Sequence, residues 1–272
     1  MRNKIMYIWM VLLLLVVACE PVEKRLPMGD AITAEQLDIA AAPLLVNGKR
    51  SNKVAVVNHS PVLSSWDYGV GVSYKMVDTV LMVIDGDNDI IFTGLNPDGT
   101  FISKTLTVNI EELSFDVPPE WGYLCGDGEK EWVWEAGTPW GNGGYLANDG
   151  PAWWLVDHDG IEGQVEGEGP NTSMTFSISG ASMTKYRNNG TQESGSFTFD
   201  MSKTKAKDNG DIWAIGEMKF VGTTVLCGIF PGEGTVDTFD IIELTPDRLV
   251  LANAPAGTGA WGTAYFWVFV PK

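Results

Sequence analysis

Beyond residue 50 the chain alternates short apolar runs with turn-forming residues. Residues 53–58 and 77–84 supply Val, Leu and Met to a buried face, and 89–93 make a further short run. Residues 100–110 place Ile102, Leu106, Val108 and Ile110 at even positions, interrupted by Lys104. Asp85-Gly86-Asp87-Asn88 and Asn96-Pro97-Asp98-Gly99 punctuate these runs as turns. This spacing predicts a small β-sandwich and contains no βαβ unit. In the second half, residues 174–179, 195–201, 212–221, 236–244 and 248–252 read as strands, with Thr245-Pro246-Asp247 turning between the last two. Trp132 and Trp134 share a strand face, as do Phe197 and Phe199. Tyr265, Trp267 and Phe269 alternate with Phe266, Val268 and Val270, which predicts a strand buried on both sides.

The ends of this pattern are different. Arg2 and Lys4 precede an uncharged apolar run over 5–18, too short for a comfortable membrane span, which predicts a secretory signal over 1–18. Val16-Val17-Ala18-Cys19 resembles the bacterial lipobox, which implies acylation of Cys19 and attachment to a membrane. Glu20 and Glu23 resemble surface-export signals of Gram-negative lipoproteins, which implies an outer-membrane lipoprotein on the cell surface, with the periplasmic face as the other option. Residues 19–50 read as a tether, with at most one or two helical turns over 34–42 before Pro43 stops them.

Composition narrows the partners. A net charge of −17 argues against nucleic acid and against anionic polymers. Nine of the eleven Trp fall after residue 120, more than a core of that size requires. Trp140, Trp153 and Trp154 lie in the Gly- and Pro-rich stretch 138–159, which shows no strand period and reads as a long irregular connection. Extended backbone would send the adjacent Trp153 and Trp154 to opposite sides. Indole faces next to Asn142, Asp157 and His158 suit a sugar, stacking on its C–H face and bonding its hydroxyls. These six residues are the predicted ligand-binding set; the other reading is that the rings cap an open end of the core.

Signals for chemistry are sparse. Two His and three Cys do not make a zinc cluster, and no cofactor or metal is expected. Cys125 and Cys227 could pair or stay as buried thiols. The acidic turn 85–89 lacks the length and terminal Glu of a calcium loop and reads as solvated, as does the Gly-interleaved stretch 162–168. Glu129, Glu131, Glu135, Asp157 and Glu217 are the carboxylates from which a glycoside hydrolase would be assembled. No paired acidic signature or serine nucleophile elbow accompanies them, so a non-enzyme is expected.

Three resemblances bear on the fold. Asn58-His59-Ser60-Pro61 followed by Trp66-Asp67-Tyr68-Gly69-Val70-Gly71 resembles the PKD family, with Val70 where that family carries Asp. The resemblance implies an immunoglobulin-like sandwich over 51–117, with Trp66 packed in its core, ending at Pro118-Pro119. Ile241-Ile242-Glu243-Leu244 through Arg248-Leu249-Val250-Leu251 resembles the closing hairpins of lipocalin-like domains. The expectation is therefore an all-β chain: a PKD-like unit, then an antiparallel β-sandwich or barrel over 118–272, jelly-roll or lipocalin-like. Taken whole, with Trp121-Gly122-Tyr123-Leu124, Trp132-Val133-Trp134 and Pro151-Ala152-Trp153-Trp154, the chain resembles the surface glycan-binding lipoproteins of bacterial polysaccharide-utilisation systems. That implies a non-catalytic protein holding a neutral glycan near an outer-membrane importer. A structural or adhesive surface protein binding a protein partner is the alternative.

Overall fold

The computed structural model describes residues 29–272. The expected signal segment, the acylation site Cys19 and the first part of the expected tether lie outside these residues. No helix among the described residues is long and apolar enough to cross a membrane.

The first unit holds seven strands: β1 (Ile39–Val46), β2 (Lys49–Asn58), β3 (Leu63–Asp67), β4 (Val72–Ser73), β5 (Val77–Leu81), β6 (Gly86–Leu95) and β7 (Phe101–Ile110). They form a three-stranded sheet, β1-β2-β5, and a four-stranded sheet, β4-β3-β6-β7. Val54, Val56, Val80, Trp66, Phe92 and Val108 fill the space between the two sheets. Trp66 is fully buried, as its packing role requires, with its ring 4.5 Å from Phe92 and its Nε1–H donated to the Lys75 carbonyl.

Part of the expected tether belongs to this unit. Residues 34–36 make a single 3-10 turn, and the expected helical stretch continues instead as strand β1, paired along β2. Asn47 and Gly48 both take positive φ, so the two residues form the hairpin turn that joins β1 to β2. Pro43 is accommodated because β1 is an edge strand, where a missing N–H costs no ladder bond. Leu37 is buried in the core of the unit, and Ile32 is held by two hydrogen bonds to Asn96.

The second unit begins at helix α1 (Pro119–Cys125), with Pro119 in its first turn where no donor is needed. Then come β8 (Glu129–Trp134), β9 (Trp140–Gly144), β10 (Trp154–Val156), helix α2 (His158–Gln164), β11 (Ser173–Ser177), β12 (Ser182–Tyr186) and β13 (Gln192–Asp200). The remainder are β14 (Lys205–Ala206), β15 (Ile212–Ala214), β16 (Gly216–Val221), β17 (Ile229–Phe230), β18 (Gly234–Thr235), β19 (Thr238–Leu244), β20 (Leu249–Asn253) and β21 (Thr263–Pro271).

Eight of these strands close a barrel in the order β8-β11-β12-β13-β16-β19-β20-β21, with β21 returning to β8. Every pairing is antiparallel and every neighbour is the next barrel strand in sequence, so this is an up-and-down meander, not a jelly roll. Every barrel strand sends at least one fully buried side chain into the lumen, among them Trp132, Phe176, Met183, Phe197, Met218, Phe239, Leu251 and Trp267. An eight-stranded barrel is just wide enough for its interior to be filled by side chains in this way. The double burial expected of the last strand is met over Ala264–Val268 and Phe269. Its outer face is covered by Trp213 and Ala214 of β15, against Ala252, Ala264 and Phe266.

The first unit meets the barrel at the β11–β12 turn. Asp67 to Val70, Met82 to Ile84 and Ile178 to Gly180 line one cleft there, and Val83 joins the barrel's own cluster of buried residues. Helix α1 closes the same end, with Trp121 packed on Phe199 at 4.6 Å and the Leu124 carbonyl accepting from Trp132 Nε1. The opposite end, where β9, β10, α2 and the β17–β18 hairpin lie, is free of the first unit.

Candidate functional site

The first unit leaves several apolar side chains in water, Leu63, Tyr74 and Phe101 among them, but every exposed indole among the described residues lies at the free end of the barrel. Trp153 is 51% exposed, Trp154 41%, Leu155 51% and Trp261 63%. The stretch that carries the first three is more ordered than its composition predicts. Residues 138–159 hold β9, β10 and the start of α2, and β9 pairs with the first half of β21 while β8 takes the second half. Strand β10 pairs only with β9, so its outer edge is free.

Glycine allows this arrangement. Gly141 has φ 149°, and a Cβ there would lie 1.9 Å from the Trp154 carbonyl oxygen, so only glycine lets β10 lie so close to β9. Asn142 then clamps the Trp pair: its carbonyl accepts from the Ala152 and Trp153 N–H groups, and its side-chain Oδ1 accepts from Trp154 N at 3.1 Å. The N–H donor fixes which end of the amide faces the backbone. The Nδ2 group has no partner among the described residues and is available to a ligand.

Trp140 is the clear correction to the predicted set. It is fully buried and presents no face to solvent. Trp140 pairs with Trp267 on β21 and so faces the barrel interior, where it supports the exposed ring. Trp154 packs edge-on against Trp140 at 5.5 Å and against Tyr265 at 6.2 Å. The Nε1–H of Trp140 is buried and has no acceptor, one of two such side-chain atoms among the described residues.

Two further residues of the set are placed elsewhere. Asp157 is the N-cap of α2, accepting from Gly160 N at 2.8 Å, as an aspartate at that position does. His158 Nε2 lies 3.0 Å from the Glu135 carbonyl oxygen and lines a separate hollow with Trp134, Pro170 and Lys272. The predicted residues that the structure brings together are Asn142, Trp153 and Trp154, with Trp140 as their support. The nearby loop is spent on structure: Asn148 accepts from Gly144 N and Trp213 Nε1, and Asp149 pairs with Lys207 at 2.8 Å.

Trp261 completes the exposed set and was not among the predicted residues. It sits between β20 and β21 with φ 64°, a left-handed backbone that bulky side chains avoid at a cost of order 1–3 kcal/mol. Its N–H is donated to the Tyr145 carbonyl, and its ring lies over Gly144, where a Cβ would be 3.1 Å from Cε3. The signal for it is an aromatic residue set among glycines (Thr258-Gly259-Ala260-Trp261-Gly262) between two strands.

Beside Tyr265, at 4.7 Å, stands Phe230 of the β17–β18 hairpin. Phe230 closes one side of a cleft of about 240 Å³ bounded by Glu233, Thr235, Asp237, Thr238 and Asn253. No family model and no curated protein compared with this chain matches it. The geometry of this end therefore carries the functional argument alone.

The stretch 162–168 is the second correction. Glu168, read from its neighbours as solvated, is only 1% exposed. Its carboxylate pairs with Lys185 and Arg187, each at 2.8 Å, and accepts from Cys227 N at 2.6 Å. Lys185 projects inward from β12 and is itself 2% exposed, so Glu168 is the counter-charge that lets an ammonium occupy the barrel end. Glu162 holds the loop in place by accepting from Gly167 N and Gly169 N. These two bonds draw its carboxyl below the usual range.

Of the five carboxylates of the hydrolase alternative, Glu129 is exposed and the other four are engaged, Asp157 as the N-cap of α2. Glu135 pairs with Arg248, Glu131 with Lys272 and Glu217 with Lys219. Cys125 and Cys227 are both free and buried, and burial pushes the Cys125 thiol up to about 12. The acidic turn at 85–89 is used across the β6–β7 pair, Asp87 accepting from Asn109 and Asp89 from Thr107. Among the described residues no group of three or more His, Cys, Asp or Glu could hold a metal ion.

Proposed function

We propose that this protein binds a neutral glycan, without turning it over, through the indoles at the free end of its barrel. It would act as a lipoprotein acylated at Cys19, on the outer membrane and facing outward, with the first unit as a PKD-like spacer and an importer as neighbour. The observation that carries the binding reading is Trp154. Its ring is 41% exposed yet rests edge-on against two buried aromatic rings, and its backbone is clamped by Asn142. Such a ring is held rigid before any ligand arrives, so little side-chain freedom is lost when a sugar stacks on it. Trp153, Trp261 and the free amide of Asn142 add a second face and a polar contact.

The test is affinity electrophoresis of the protein, without its signal segment, in gels containing dextran, laminarin, mannan, xylan or a soluble cellulose derivative. At least one polymer should retard the wild type, and Trp154→Ala should weaken that retardation about tenfold or more while leaving the near-ultraviolet spectrum native-like. Failure of every polymer to retard the wild type would remove the reading. The surface that then stands is the free edge of β10, where exposed Trp154 and Leu155 would suit an added strand from a protein partner.

A further inference from the structure

The site described above has a neighbour. Trp154 and Phe230 both pack on the buried ring of Tyr265, at 6.2 and 4.7 Å between centroids, so the exposed indole and the cleft beside Phe230 flank one aromatic support. We propose that this cleft is a second subsite and that the whole forms a groove for an internal stretch of neutral polysaccharide. The inference rests on the glycan reading of Trp154.

Three features of the cleft support it. At about 240 Å³ it is smaller than the roughly 300–1,000 Å³ of a pocket that encloses a whole small molecule. It fits one ring of a longer ligand whose remainder lies outside, toward Trp154. Its polar walls are acceptors: the Glu233 carboxylate has no hydrogen-bond or ion-pair partner among the described residues. That of Asp237 takes only the Thr238 hydroxyl, at 3.0 Å.

Free carboxylates in a cleft with no cation among its lining residues favour hydroxyl donors, and they repel carboxylated or sulfated sugars. The third feature is position. The cleft is built by the β17–β18 hairpin, the start of β19 and the end of β20, and Asn253 on its wall is the barrel partner of Tyr265. The two subsites are therefore joined through one continuous run of paired strands, β10-β9-β21-β20.

The experiment is isothermal titration of the protein, without its signal segment, with cello-, laminari-, manno- and xylo-oligosaccharides of increasing length. In the series that binds, affinity should rise with length and level off only when the chain spans both subsites. Phe230→Ala should remove about a two- to tenfold share of that gain, weakening long oligomers more than short ones. Glu233→Gln, an exposed position that does not threaten folding, should weaken the long oligomers in the same direction. Trp154→Ala should weaken all lengths.

If long oligomers bind through Trp154 but Phe230→Ala and Glu233→Gln both keep the wild-type length dependence, the second subsite is wrong and the indole platform survives. If no oligomer of any series binds the wild type, the glycan reading fails and the groove goes with it. Tighter binding of an acidic oligosaccharide than of its neutral counterpart would overturn the assignment of ligand charge.

Discussion

At the barrel end that abuts the first unit, aromatic rings are covered. Trp121 projects from helix α1 onto Phe197 and Phe199, and Trp132 beneath the helix donates to the Leu124 carbonyl. At the opposite end Trp153, Trp154 and Trp261 stand 41–63% exposed. Both ends are plugged, one by a helix and one by Glu168 with its cations, so the exposed indoles are not there for want of a lid. The same residue type serves the core where the chain itself supplies the partner and is left bare where it does not. Burying one such side chain is worth about 1.5–3 kcal/mol, which the chain forgoes three times at one end only.

The comparison breaks most visibly under truncation of the covered ring. Trp132→Ala removes a fully buried indole and leaves the Leu124 carbonyl without its donor, so it should cost about 4–5 kcal/mol in urea unfolding. Trp154→Ala, half exposed and on an edge strand, should cost about 1 kcal/mol or less while removing binding. Comparable losses for the two would show that Trp154 is a core residue after all.

The plug at the free end gives the next effect. Glu168→Ala leaves Lys185 buried with only Glu193 at 3.6 Å to balance it, and Arg187 loses one of its two partners. Removing one member of a buried ion pair typically costs about 3–5 kcal/mol, and the lower half of that range is expected because Arg187 can relax into water. A Lys185→Met, Glu168→Ala double variant, which removes both charges and the acceptor for Cys227 N, should recover most of the loss. No recovery would mean that Glu168 acts through its hydrogen bond to Cys227 N rather than through charge.

Much of this contrast was legible in the residues, and the failures have physical causes. Parity alone placed Trp132 and Trp134 on one face and predicted the doubly buried last strand. Asn47-Gly48 between two apolar runs is a strong hairpin signal, but charged and Pro-rich flanks disguised β1 as tether. In β9 the glycines at 141, 143 and 144 erase the alternation that marks a strand, so a paired strand looked like a loop. Trp140 and Trp154 look alike in sequence; the register puts both on one face, with Trp140 covered opposite Trp267 and Trp154 nearer the open end and left exposed. Glu168 misled for a similar reason: its neighbours are solvated, while its partners lie 17 and 19 residues further on.

The smallest effect asks whether the free end is built before any ligand arrives. Glu162 on α2 grips the backbone on both sides of Glu168, and its carboxyl titrates below its ordinary value of 4.5 because the Gly167 and Gly169 N–H groups favour the charged form. A group whose pKa is lowered by folding stabilises the fold above its unfolded value and loses that contribution as pH falls through the folded one. The stability gap between wild type and Glu162→Gln, under ~1 kcal/mol for a half-buried group still screened by solvent, should therefore hold steady above about pH 5 and close below about pH 4. Urea midpoints at pH 7, 5 and 3.5 measure it. A gap that widened on acidification would mean that the loop is held by something other than this carboxylate, and that the rim beneath the exposed indoles is not the preformed support their exposure calls for.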